Sequence, residues 1–161
     1  MDRRSSTATI LGIVTALSLW LIMMYQSPAP TGEFAIILAL DNNKVVSDSD
    51  IRYYNVTSHE LTLTSECAER LKPMGWRLSG NFTLVVNGEV ELRGIFVPPI
   101  TSRSYPSNQV VIMYPTFDLN SINYRVMKIQ MGYPWDRPVA LDPRSNPRIT
   151  EYFDVSGKLI R

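Results

Sequence analysis

Residues 7–25, TATILGIVTALSLWLIMMY, carry no charge and no proline, and Arg3 and Arg4 stand just before them. A run of about 19 mostly apolar residues is long enough to cross a hydrocarbon core about 30 Å thick. Basic residues on the short N-terminal side keep that side in the cytoplasm and send the remainder of the chain outside. The run therefore predicts a transmembrane helix that anchors the chain. A cleaved signal peptide also has a basic start and an apolar core, but that core is typically about 7–15 residues. Ser27 and Ala29 offer small residues for cleavage, although Pro30 would follow the cut. Length favours the retained anchor (a signal-anchor), and both readings export the same domain. The expected localisation is a single-pass membrane protein with a cytoplasmic N-terminus and an extracytoplasmic C-terminal domain. Gly12 and Ala16 have the small-xxx-small spacing that lets membrane helices approach closely.

The chain then divides into an anchor over residues 1–26, a linker over 27–33, an extracytoplasmic α+β domain over 34–132 and a proline-rich C-terminal arm over 133–161. About 135 residues beyond the anchor suffice for one domain with its own core. The chain is 45% hydrophobic and 19% charged, with a formal net charge of +1. That balance argues against a nucleic-acid partner, which calls for a basic face or stripe. With one cysteine, Cys67, the chain cannot form an internal disulfide and must rely on packing.

Local patterns predict the elements. Residues 34–40, FAIILAL, read as a buried strand. Val45 and Val46 suit a short strand, and Asp48 or Ser49 suits the cap of one helical turn. Residues 60–64, ELTLT, alternate as a half-exposed strand does, and Thr64 then caps a helix that Pro73 and Gly75 stop. Residues 81–97 carry the clearest signal. Two alternating runs flank Asn87-Gly88, the pair that suits a type I′ turn, so a β-hairpin is predicted. Residues 110–114 and 123–131 predict two further strands. Pro134, Pro138, Pro143 and Pro147 make residues 133–148 an extended arm laid over the surface, and residues 151–155 a short final turn or helix.

The residues that could carry chemistry are sparse. His59 has Glu60 beside it, but acid–base work needs a positioned partner that the sequence does not supply, and a solvated turn histidine is the simpler reading. Cys67 falls in the first turn of the predicted helix, where the dipole lowers a thiol pKa; a small buried residue is the simpler reading. Glu89 and Glu91 share one face of a strand, more in keeping with a charged strand than with paired acid–base groups. Asp48 and Asp50 begin a calcium-loop pattern whose glycine and later Glu are missing. No nucleotide or hydrolase fingerprint is present, and no cofactor, metal or catalytic residue is assigned. Asn55 (with Thr57) and Asn81 (with Thr83) are candidate glycosylation sites. Aromatic residues crowd the second half between prolines. Tyr105, Tyr114, Tyr133 and Trp135 are the candidate interaction surface; the bland alternative is that such aromatics clamp the proline-rich arm to the sheet.

Residues 36–101 resemble the first extracytoplasmic domain of SecD, a membrane subunit of the protein-export machinery. The residues that carry this are Lys44 to Ile51 (KVVSDSDI), Leu61 to Thr64 with Glu66, Ala68 and Leu71, and Phe82 to Gly94 around Val85-Val86-Asn87-Gly88, followed by Pro98-Pro99-Ile100. The resemblance implies a ferredoxin-like strand–helix–hairpin element and no enzyme activity. The chain departs from that family in having one apolar span without charged groups, so no translocation motor is implied. The whole fold class expected is α+β: one N-terminal transmembrane helix, then a small mixed α/β domain with that element and the proline-rich arm. The expected function is a membrane-anchored, non-enzymatic domain acting through contacts with a protein partner, as a SecD-like accessory in protein export or in membrane complex assembly. The alternatives are a structural accessory subunit of a larger membrane complex and an unrecognised thiol-dependent enzyme using Cys67.

Overall fold

Eleven strands and two short helices make up the described part of the computed structural model, residues 32–40, 42–118, 121–137 and 139–161. In chain order these are β1 (Phe34–Leu38), β2 (Lys44–Ser47), β3 (Ile51–Asn55), β4 (Glu60–Leu63), α1 (Ser65–Leu71), β5 (Gly80–Val86), β6 (Glu89–Val97), β7 (Tyr105–Met113), β8 (Thr116–Asp118), β9 (Ser121–Asn123), β10 (Val126–Tyr133), α2 (Pro147–Val155) and β11 (Leu159–Ile160). Nine strands form one sheet in the order β11-β3-β4-β10-β7-β6-β5-β1-β2, and β8 and β9 form a separate two-stranded ribbon. Most pairs are antiparallel; β6 with β7 and β3 with β11 are parallel.

The connection from β2 to β3 forces this sheet to roll. The two strands stand seven places apart in the sheet order, about 34 Å at roughly 4.8 Å per step. Only the 3₁₀ turn Asp48–Asp50 joins them, and four Cα steps span at most about 14 Å. The two ends of the sheet must therefore face each other, and the contacts agree. Phe153 of α2 stacks on Phe34 of β1 and on Tyr54 of β3, with ring centroids 5.1 and 4.9 Å apart. Phe34, Phe82, Phe96 and Phe153 lie in a single apolar core with residues of every long strand. Local chemistry sets the pieces. Asp50 Oδ2 accepts from the Ser47 backbone N–H and hydroxyl at 2.8 Å, which fixes the 3₁₀ turn. Thr64 Oγ1 accepts from the Cys67 N–H at the start of α1. Asn87 and Gly88 take φ of 54° and 82°, the signs a type I′ turn requires.

Several expectations are corrected. Over the described residues the fold is not a small mixed α/β domain but a domain dominated by one large sheet. The ferredoxin-like element is absent as such: β4 precedes α1 and β5 follows it, yet three strands separate β4 from β5. The strand–helix–hairpin order is legible in the sequence, but long-range pairing with β7 and β10 decides which strands become neighbours. Among the described residues no helix is long and apolar enough to cross a membrane, against the transmembrane, signal-anchor and single-pass localisation readings. The run 7–25 on which those readings rest lies outside the described residues, as do Gly12 and Ala16. Residues 133–161 are more than a surface arm: Ile149, Tyr152 and Phe153 of α2 belong to the core, and β11 pairs with β3.

Candidate binding site

Three of the four aromatics singled out from the sequence meet at one end of the sheet. Tyr105 opens β7 and sits opposite Tyr133, the last residue of β10. Trp135 comes two residues later. With Pro106, Pro134 and Arg137 they line a cleft of about 310 Å³, at the lower end of the size range of ligand pockets. Tyr114 is not part of it. It is 1% exposed and donates its hydroxyl to the Tyr124 carbonyl at 3.1 Å, so burial and that bond fix it in the core.

The backbone of β10 shapes the cleft. The pairing with β7 slips between Met131 and Tyr133. Gly132 absorbs the slip with φ of 80°, and a Cβ there would meet the Tyr105 and Pro106 carbonyl oxygens at 3.0 and 3.1 Å. Gln130 Nε2 donates to the Gly132 carbonyl at 2.7 Å and braces the bulge. The loop carrying Trp135 is tied down on its far side. Asp136 Oδ1 accepts from the Met131 N–H at 2.9 Å, and the Arg137 N–H donates to the Met131 carbonyl at 3.1 Å. Arg144, 5% exposed, donates to Asp136, Asp142 and the Ile129 carbonyl. Its guanidinium holds the Asp142 carboxyl below the usual carboxylate range. Sequence reasoning missed this anchor. A buried arginine within a polar, proline-rich stretch has no periodic signature, and only the Asp142 cap before Pro143 hinted at local order.

Within the cleft one ring donor is committed, and two have no partner among the described residues. Tyr133 donates its hydroxyl to the Pro99 carbonyl at 2.7 Å. The Tyr105 hydroxyl and the Trp135 indole N–H have no hydrogen-bond partner among the described residues, and the Arg137 guanidinium has no ion partner there. Trp135 is 69% exposed. A second exposed apolar patch, Met74, Trp76, Phe117 and Ile122, differs in this respect. There the indole N–H of Trp76 is already spent on the Tyr124 hydroxyl at 3.1 Å, and its ring rests edge-on against Phe117.

The remaining candidates resolve into structural roles. His59 takes a left-handed φ of 54°, and its Nδ1 lies 3.0 Å from the Tyr54 hydroxyl, with no carboxylate bonded to the ring among the described residues. Burial, with Arg144 nearby, pushes its pKa below the ordinary 6.5. Cys67 is fully buried; burial, reinforced by Asp50, drives its thiol up to about 12, the reverse of an activated nucleophile. Glu91 is engaged by Asn146 at 2.7 Å, and Arg148 pairs with both Glu89 and Glu91. Asp48 turns to Lys158 and Tyr152 while Asp50 turns to Ser47 and Arg70, so the two carboxylates do not converge. No cluster of metal-ligating side chains occurs among the described residues. Asn55 spends its side-chain oxygen on the Thr57 and Ser58 N–H groups, whereas Asn81 is exposed at the start of β5.

No protein family model, no curated protein and no solved structure matches the chain. The resemblance to SecD gains no support from them.

Proposed function

We propose that this chain is a non-enzymatic binding domain that docks a protein partner on the cleft formed by Tyr105, Tyr133 and Trp135. The observation that carries the reading is Trp135 itself. A large ring stands mostly in solvent, its N–H without a partner among the described residues, on a loop held by Asp136 to a buried arginine. Rigid, partly desolvated aromatic residues with an unused donor are the residues on which interface energy concentrates. The thiol-enzyme alternative has its nucleophile buried and protonated. The test is chemical crosslinking and affinity capture with the full-length chain and with Trp135→Ala. A defined partner set that the variant loses supports the reading, and an unchanged set overturns it.

A further inference from the structure

The chemistry of the cleft narrows its occupant, and this step rests on the docking role just proposed. We infer that the cleft binds an extended, proline-containing segment of a partner protein that carries acidic residues.

The first argument is shape and hydrogen bonding. The walls are flat rings: Tyr105, Tyr133 and Trp135 stand with Pro106 and Pro134. Aromatic-lined grooves suit the polyproline II conformation, whose prolines present rigid apolar faces. That conformation makes no internal hydrogen bonds, so its carbonyls arrive needing donors. The cleft offers donors in the Tyr105 hydroxyl and the Trp135 indole N–H, both unpartnered among the described residues. A helix spends its own carbonyls internally and gains less from such a wall.

The second argument is charge. Arg137 lines the cleft, and Arg103 precedes the lining residue Ser104 in sequence. Neither has an acidic partner among the described residues. The nearest carboxylate in sequence, Asp136, is already taken by Arg144 and the Met131 N–H. The charge left over at the cleft is therefore positive, and an acidic ligand complements it. The other charged groove, lined by Glu89, Glu91, Glu151 and Arg148, sets three carboxylates against one guanidinium and does not complement an acidic ligand.

The experiment is fluorescence anisotropy with labelled peptides on the full-length chain. The probes are a peptide of Glu-Pro-Pro repeats, its Lys-Pro-Pro counterpart and a Glu-Gly-Ser counterpart. The acidic proline peptide should bind at least about tenfold more tightly than either counterpart. Trp135→Ala should weaken it by about tenfold or more, as loss of a central aromatic anchor does. Arg137→Glu should shift the preference toward the lysine peptide. Equal binding of the acidic and lysine peptides overturns the inference, and so does binding of the Gly-Ser peptide as tight as the proline one. Failure of all three to bind at about 1 mM also overturns it. If captured partners still depend on Trp135 in that case, the docking role stands and the occupant's identity falls. Peptide binding that ignores Trp135→Ala places the peptide elsewhere and overturns the inference, while the docking role stands or falls with the captured partners.

Discussion

Arg144 Nη1 lies 2.9 Å from each carboxylate oxygen of Asp136, and one of those oxygens also accepts the Met131 N–H. One buried guanidinium thus ties the Trp135 loop to the end of β10 and, through Asp142, to the segment entering α2. Removing one partner of a buried pair leaves charge uncompensated, which typically costs about 3–5 kcal/mol. Asp136 and Asp142 retain some exposure, so Arg144→Met should fall near the lower end, about 3 kcal/mol in urea unfolding. It should also weaken ligand binding at the cleft although Arg144 lines no part of it. A variant as stable as the parent would show that the network is incidental.

Gly132→Ala tests the bulge. The backbone there has φ of 80°, and the new methyl would press on two carbonyl oxygens of β7 at 3.0 and 3.1 Å. Left-handed strain plus backbone contact predicts a loss of about 1–3 kcal/mol. Because those carbonyls belong to Tyr105 and Pro106, the same change should displace a wall of the cleft. Thermal unfolding and peptide anisotropy on one sample would read both effects, and an unshifted melting temperature would contradict the strain argument.

What the sequence displayed and what it hid divide along contact range. The hairpin of residues 81–97 was legible because Asn87-Gly88 dictates its turn locally, and α1 because Thr64 caps it and Pro73 ends it. The rolling of the sheet was not legible. It depends on β3, whose IRYYN reads as mixed, and on pairings between strands far apart in sequence such as Met127 with Leu61. The cleft was half legible. Aromatic and proline residues marked Tyr105, Tyr133 and Trp135, but composition could not separate Tyr114, which faces the core. The anchoring role of Arg144 had no local signal at all.

Acid should weaken the fold in two steps. Burial lowers the folded-state pKa of His59 below 6.5, so the unfolded chain takes up the proton first as pH falls. The stability His59 contributes is fully present above about 6.5 and is lost as pH falls through its folded value. Asp142 behaves alike at lower pH: Arg144 depresses its carboxyl below 3.8, so its contribution is present above that value and is lost on further acidification. Stability should therefore rise with pH on the acid side of about 6.5 and level off above it. His59→Asn, which tolerates the left-handed φ of 54°, should flatten that slope and leave the loss below about 4 intact. A slope unchanged in the variant would assign the titration to another group.

The thiol offers a test of enzymatic chemistry. Cys67 is enclosed, and its pKa near 12 leaves almost no thiolate at neutral pH. Iodoacetamide should leave the folded protein unmodified over hours and label it promptly in denaturant, when followed by intact-mass measurement. Rapid stoichiometric labelling of the folded chain would return Cys67 to consideration as a nucleophile.

Phe153 decides whether the C-terminal segment is core or covering. Its ring touches Phe34 and Tyr54, on strands from opposite ends of the sheet order, and it is fully buried. It acts as the plug where the rolled sheet meets itself, so its loss should be felt by the whole domain. Phe153→Ala removes a large ring from a packed site, a change that costs about 3–5 kcal/mol. Val155, on the same helix but 46% exposed, should tolerate alanine within about 0.5 kcal/mol. Hydrogen exchange separates the two pictures. If α2 completes the core, Phe153→Ala lowers protection in β1 and β3 together with the helix. If α2 merely covers the sheet, the variant frees the helix amides and leaves β5, β6 and β7 as protected as before, with the main melting transition unmoved.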